Sequence, residues 1–208
     1  MAGASGNETF GAAARAYGVR DPRVLAALDV VPRHLFVEAG TEHHAWVDAA
    51  LPLPCGQTTS QPTLIALMIE ALRLGPDSRV LEVGTGYGYE AALLSHVAAQ
   101  VWTIEWWPQL AERARANLAA AGISGVHVEV GDGRAGVPEG APYDGIVVAA
   151  RADVIPAALV EQLAPGGRLV APVGAEGWER CLAYRRDPDG LHLVEDLGEV
   201  RFVPLIGH

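Results

Sequence analysis

Residues 79–89, RVLEVGTGYGY, constrain this chain more than any other segment. An apolar run breaks into alternating glycines at Gly84, Gly86 and Gly88 and resumes as AALLSHVAA. That pattern predicts a buried strand, a tight turn and a helix. Glycines let the backbone of such a turn approach a ligand closely. A second strand-like run, QVWTIE, ends on Glu105, twenty-one positions after Gly84. A carboxylate there is placed to accept from a ribose diol, so the pair points to a nucleoside-containing ligand.

Glycine spacing narrows the choice. The dinucleotide fingerprint GxGxxG requires glycine three positions after Gly86, where this chain has Tyr89. A pyrophosphate, and with it a nicotinamide dehydrogenase, is disfavoured.

Strand-like runs recur at RVLEVG, QVWTIE, GVHVEV, YDGIVVAA and GGRLVAPV, separated by helical stretches near AALLSHVAA, QLAERARANLAAA and IPAALVEQL. This alternation predicts an α/β fold with a mostly parallel sheet covered on both faces. The tail reads differently: RCLAYRR and EVRFVPL are expected as an antiparallel strand pair joined by DPDG. Residues 1–60, with a weakly helical PRVLAALDVV and a loop VDAALPLPCGQTTS, are expected to form a helical and loop cap on the same compact unit, residues 61–208 forming the main domain. The core begins with SQPTLIALMIEALRL, whose apolar residues fall at helical spacing.

In open parallel sheets ligands bind beyond the carboxyl ends of the strands, near the switch point. The loops that matter are then Gly84–Gly88, Glu105 with Trp106, Asp132 with Gly133, and residues 149–151. Asp132 is placed to accept from an adenine amino group; helix capping is the alternative account of Glu105 and Asp132, and their place after consecutive strands beside a glycine turn favours cofactor binding. Trp106 and Trp107 either cover a base or pack at a helix start. Ser60, two positions before Pro62, is a good helix N-cap by spacing.

A net charge of −10 and a pI near 5.1 argue against duplex nucleic acid or an anionic membrane as partner. MAGASGNETFGAA has neither the charged nor the apolar region of a leader, so a cytoplasmic location is expected. Cys55 and Cys181 are too few for a disulfide framework, and adjacent His43 and His44 lack further ligands, so no metal is expected.

The segments VPRHLFV (31–37), HHAWVDAALPL (43–53), GQTTSQP (56–62), LEVGTGYGYEAA (81–92), VGDG (130–133), IPAALVEQLAPGGRLVAPVG (155–174) and VRFVPL (200–205) occur in the order seen in protein-L-isoaspartate O-methyltransferases, and the chain resembles that family over nearly its whole length. The resemblance implies a Rossmann-like class I S-adenosylmethionine methyltransferase with an N-terminal substrate-binding cap. It implies methyl transfer to the α-carboxylate of isoaspartyl residues in aged proteins or peptides, by a protein expected to be a monomer. Glu82, Gly84, Thr85, Gly86, Gly88, Glu105, Trp106, Asp132 and Gly133 would hold the cofactor. Gln57, Thr58, Thr59 and Ser60 would meet the acceptor, with Ser60 in the catalytic position.

Four places depart from the family: Tyr87 replaces a small residue, Glu90 a glutamine, Trp46 a tyrosine, and Ala150, Arg151, Ala152 and Asp153 replace small residues and proline. Arg151 is expected at the end of the fourth strand, where a guanidinium could clamp an acceptor carboxylate or point into solvent. A clamp would suit an enzyme tailoring one dedicated peptide. A binding module that no longer turns over is the remaining alternative.

Overall fold

The structure, a computed structural model, describes residues 8–207. The leader reading falls partly on residues 1–7, outside that range. Two short helices open the fold, α1 (Glu8–Ala16) and α2 (Pro22–Val30), the second capped by the Asp21 side chain accepting from Arg23 N. A two-residue ribbon follows, β1 (Leu51–Pro52) antiparallel to β2 (Thr58–Thr59), and leads into α3 (Pro62–Ala71). α3 starts on proline, whose missing N–H costs nothing in a first turn.

The strand and helix alternation expected from the sequence then appears in order: β3 (Arg79–Val83), α4 (Tyr89–Leu94), β4 (Gln100–Glu105), α5 (Pro108–Ala120), β5 (Val126–Val130), β6 (Tyr143–Val148), α6 (Ala157–Gln162) and β7 (Leu163–Val173). β8 (Arg180–Asp187) and β9 (Gly190–Glu199) complete a seven-stranded sheet of order β5-β4-β3-β6-β7-β8-β9. Pairing is parallel from β5 through β7 and antiparallel at β7–β8 and β8–β9.

Alternate side chains of each central strand point to opposite faces. Val80, Val147 and Val170 pack with α1, α2, α3, α4 and α5, whereas Leu81, Ile146 and Leu169 pack with α6. After β3 the chain steps outward to β4 and β5, then returns so that β6 lies on the other side of β3. The crevice at that reversal is the switch point, and the glycine turn sits over it.

One expected strand is displaced. β8 pairs with residues 190–199, not with 199–205, because Asp187 opposite Gly190 needs only a two-residue turn to begin pairing. GLHLVEDLGE is an edge strand with Leu193 and Val194 exposed, so it lacks the apolar alternation that marks a half-buried strand. Residues 200–205 instead leave the sheet and cross the end of β6. Arg151 N donates to Val203 O (2.8 Å) and Leu205 N to Arg151 O (2.8 Å).

Candidate active site

The glycine turn requires glycine for two distinct reasons. Gly84 and Gly86 have φ of 100° and 54°, in the left-handed region. A Cβ on Gly86 would also lie 3.3 Å from Leu53 Cδ1, a tight approach, whereas at Gly84 the dihedral alone makes the demand. Above the turn lies a cavity with about 760 Å³ of empty space, open mouth included.

Glu105 ties the turn to the next strand. Its Oε2 accepts from Gly86 N (2.8 Å) and its Oε1 from Trp107 N (2.9 Å). Burial pushes its carboxyl upward in pKa, while the N–H groups of Trp107, Gly86 and Trp106 oppose that rise. An ionised carboxylate has about four acceptor positions. Those that the backbone N–H groups leave open suit a ribose hydroxyl.

Glu82, the fourth residue of β3, is fully buried. Thr103 Oγ1 donates to its Oε2 at 2.5 Å, and Thr103 Oγ1 is 2.6 Å from Thr85 Oγ1. Glu82 Oε1 has no partner among the described residues, and neither does Oε1 of buried Glu90 in the first turn of α4. Both residues line the cavity with Glu105, while among the described residues no Lys, Arg or His does. A cavity with three acids and no base disfavours a phosphate. It fits a ligand carrying a diol at one end and positive charge at the other, as S-adenosylmethionine does.

The acceptor side is formed by Gln57, Thr58, Thr59 and Ser60, which line the same cavity. Arg33 holds their loop in place. Its side chain is wholly buried, and it donates to Ala45 O (3.1 Å), Val47 O (2.6 Å), Ala49 O (2.8 Å) and Ser60 O (3.3 Å). The guanidinium carbon also stands 5.6 Å from the ring centroids of Phe10 and Tyr89. Burial lowers its pKa, but an arginine retains its proton.

Capping by Ser60, the role its spacing suggests, is not what the structure has. Gln61 occupies the cap position of α3, and Asp48 supplies the acceptor, taking bonds from Thr63 N (3.0 Å) and Thr63 Oγ1 (2.8 Å). Ser60 and Thr58 lie instead where the first cavity meets a second, larger one, of about 1790 Å³ with its mouth included.

Other expected residues are placed as follows. Thr85, Trp106 and Gly133 line the first cavity. Gly88 is the cap residue of α4, close under α5: a Cβ there would meet Ala114 Cβ at 3.3 Å. Asp132 caps the turn Gly133–Ala135 through Arg134 N (2.9 Å) and pairs with the Arg134 guanidinium at 3.0 Å, so an adenine amino group would have to share it. Trp107 also lines the cavity, and it packs beside Leu53, Tyr87 and Leu110.

Arg151 stands apart from both cavities. Its Nη1 is 2.6 Å from Asp153 Oδ1 and its Nε 3.7 Å from Glu179 Oε1. The guanidinium is therefore neither the free clamp nor the solvent-facing group considered from the sequence.

Sequence reasoning missed Tyr89, Ile65 and the tail residues 203–206, all of which line the first cavity. VRFVPL carried a signal, its place among the family segments, but its apolar pattern suggested sheet. Tyr87 acquires a visible role: its hydroxyl donates to Glu38 Oε2 (2.6 Å), strapping the glycine turn to the N-terminal segment. Burial and then Glu38 push that phenol up to about 12.

Comparison with known proteins agrees with this geometry. The model of the protein-L-isoaspartate (D-aspartate) O-methyltransferase family matches residues 6–208. A Roseiflexus sp. protein-L-isoaspartate O-methyltransferase is 52% identical over 190 residues, covering 91% of this chain and 87% of its own. One from Methanoculleus marisnigri is 50% identical over 193 residues, covering 93% and 87%. A solved protein-L-isoaspartate O-methyltransferase superposes with a TM-score of 0.86 at 30% identity, over 97% of this chain and 66% of that one, just under two thirds of its length. A Plasmodium falciparum protein solved with S-adenosyl-L-homocysteine shares the fold, with a TM-score of 0.81 at 21% identity over 96% and 98% of the two chains.

Proposed function

The chain belongs to the protein-L-isoaspartate (D-aspartate) O-methyltransferase family, and from that membership we infer that it methylates the free α-carboxylate of L-isoaspartyl residues in damaged proteins and peptides, using S-adenosyl-L-methionine. The observation that carries this reading is the cavity with three carboxylates and no basic side chain, opening at Ser60 onto a second cavity large enough for polypeptide.

When bound, the cofactor supplies a methyl group activated by a sulfonium. Glu105 and the glycine turn orient its nucleoside, and Gly133 with Trp106 bounds the base. Asp132 serves at the adenine edge only by sharing its bonds with Arg134. Ser60 donates to the acceptor carboxylate and aims one of its oxygens along the line of attack, with Gln57, Thr58 and Thr59 bounding the approach. Such a carboxylate, with a pKa of about 3.5, is already ionised at neutral pH and needs no general base. Orientation does most of the work, and effects of this kind supply about 7–11 kcal/mol. The Arg33-held loop and the tail at 203–206 cover the cavity and exclude water, which is the role we assign to the N-terminal cap.

A dedicated acidic peptide substrate was suggested by a free Arg151 guanidinium. With that group engaged by Asp153, no observation favours it. Action in the cytoplasm as a monomer, without nucleic acid or membrane, is the accompanying proposal. It is supported by the net charge of −10 and, among the described residues, by no helix long and apolar enough to cross a membrane. Light scattering on the purified protein tests the monomer.

Methyl transfer from labelled cofactor to matched isoaspartyl, aspartyl and small-acid acceptors tests the activity. Label is expected on the isoaspartyl peptide and nearly none on its aspartyl isomer. Equal labelling of the two, or labelling of neither, would overturn the assignment.

A further inference from the structure

We propose that the second cavity is a subsite for a large apolar or aromatic residue next to the isoaspartyl residue of the acceptor, with Trp178 and Tyr17 as its specificity-determining side chains. The proposal rests on the isoaspartyl reading above.

An isoaspartyl α-carboxylate is a short branch on its polypeptide. The Cα that bears it also carries the amide to the preceding residue and, through Cβ and the side-chain carbonyl, the link to the next. The preceding Cα is only about 3.8 Å away. The first cavity is committed to the cofactor and the reacting carboxylate, and Thr58 and Ser60 belong to both cavities. With the carboxylate held at Ser60, a neighbouring residue therefore enters the second.

Segments far apart in sequence build that cavity. Tyr17 comes from the turn after α1, Leu64 and Leu67 from α3, Trp178 from the turn between β7 and β8, and Val200 and Phe202 from the tail. The last two and both leucines are partly buried against the core and form an apolar floor, while Trp178 and Tyr17 are 84% and 63% exposed. Exposed aromatics rimming apolar surface mark a place where something binds. Trp and Tyr are also the residues that most often dominate binding energy.

The exposure of Trp178 is built into its backbone. Gly174 and Gly177 have φ of 136° and 87°, and a Cβ on Gly174 would come within 2.7 Å of Trp178 O. Trp178 N donates to Ala175 O (2.9 Å), and Glu179 O accepts from Val200 N (3.1 Å) while its carboxylate accepts from Arg201 Nη1 (2.8 Å). The indole is thus presented from a turn pinned on both sides, which lowers the ordering cost of a side chain packing on it.

Charge decides between kinds of neighbour. The lining holds two acids and two bases, and they pair: Glu179 with Arg201 at 2.8 Å, and Arg180 with Glu199 at 3.7 Å and with Asp196 at 2.7 Å. Among the described residues no charge in the lining lacks an opposite partner. An acidic or basic neighbour would lose water there without gaining a counterion, whereas an apolar one gains from burial.

The test is methylation, by the whole chain, of isoaspartyl peptides that differ only in the residue before or after the isoaspartyl position, set in turn to Phe, Leu, Ala, Asp and Lys. On one side, Phe and Leu are expected to exceed Ala about tenfold in kcat/KM, chiefly through KM, because burial outside the reacting centre acts on ground and transition states alike. Asp and Lys should fall below Ala. Trp178→Ala and Tyr17→Ala should each shrink the Phe to Ala ratio several-fold, while an isoaspartyl peptide flanked by glycine is methylated as by the wild type. Trp178→Phe should keep most of the preference. Equal kcat/KM across the peptides, a preference for Asp or Lys, or a ratio unchanged in both alanine variants would overturn the subsite and leave the activity standing. If no isoaspartyl peptide were methylated whatever its neighbours, the activity itself would fall, and the subsite with it.

Discussion

The two walls of the first cavity are built in different ways. The wall running from Glu82 to Trp107 is one continuous strand-turn-helix-strand unit, and its ligand-facing shape comes from glycine dihedrals and from Glu105 bonded to backbone N–H groups. The opposite wall consists of residues 57–60, whose local support is the β1–β2 ribbon and the bond from Leu53 N to Gln57 O (2.8 Å), and of residues 203–206 from the far end of the chain. The first of these segments is also tied to the Arg33 side chain, through Ser60 O and the carbonyls of the loop before it, the second to backbone bonds with Arg151. Local backbone conformation makes one wall tolerant of side-chain change outside its glycines. The other depends in addition on partners far away in sequence, Arg33 above all.

The largest effect is therefore expected at Arg33, far from the reacting atoms. Arg33→Met keeps the apolar stem but leaves the carbonyls of Ala45, Val47, Ala49 and Ser60 without their donor. Hydrogen bonds to a charged group contribute about 1.5–3 kcal/mol each and are not additive, so a loss of about 3–4 kcal/mol in unfolding free energy is expected. Denaturant titration measures it. Arg33→Lys should recover little, because an ammonium is a point charge with three donors and cannot span four carbonyls as the planar fork does. A loss under about 1 kcal/mol would mean the acceptor wall holds itself together.

The contrast between the walls also decides what could be read in the sequence. Glycines at fixed offsets and a carboxylate after the next strand express a local geometry, so the sheet, its helices and residues 82–88 and 105 were legible. Arg33 appears in VPRHLFV as an ordinary basic residue, since nothing nearby reveals that its partners lie 12–27 positions ahead. Asp48 was silent for the same reason, being the acceptor for a helix that begins fourteen residues later, at Pro62. The tail was misread because its apolar residues cover a cavity, while the polar edge strand before it carries the pairing.

A smaller effect separates holding the acceptor wall from using it. Asp48→Ala removes the cap of α3 and should lower stability by about 0.5–2 kcal/mol, while turnover per folded molecule stays within about threefold. Ser60→Ala should do the reverse. Loss of one hydrogen bond to a charged acceptor, about 1.5–3 kcal/mol, corresponds to roughly 10- to 150-fold in kcat/KM, with the melting temperature hardly changed. Melts and single-turnover rates on both variants check the pair of outcomes. If Ser60→Ala melted early and turned over normally, Ser60 would be part of the scaffold and not of the site.

The smallest effect is expected at Arg151, where the chain departs from its family and the structure departs from the clamp its position suggested. A guanidinium that grips an acceptor must have donors to spare, and this one is 2.6 Å from Asp153 Oδ1 and donates to Gly174 O at 3.3 Å. Asp153 is 78% exposed, so that ion pair is solvent-screened and of the kind that contributes under about 1 kcal/mol, and buried Glu179, 3.7 Å from Arg151 Nε, keeps its closer partner Arg201 at 2.8 Å. In a chain of this size that corresponds to a melting shift of no more than about 2–4 °C. Arg151 also supports the tail, but through its backbone N–H and carbonyl, which Arg151→Ala retains. The acceptor wall should thus survive the substitution, in contrast to its weakening without Arg33. KM for isoaspartyl peptides with acidic and with neutral flanks, measured for wild type and Arg151→Ala near physiological salt, is expected to give the same ratio in both proteins. A ratio that falls several-fold in the variant would mean that Arg151 releases Asp153 when substrate arrives, and that the acceptor wall is remade on binding instead of being hung in advance.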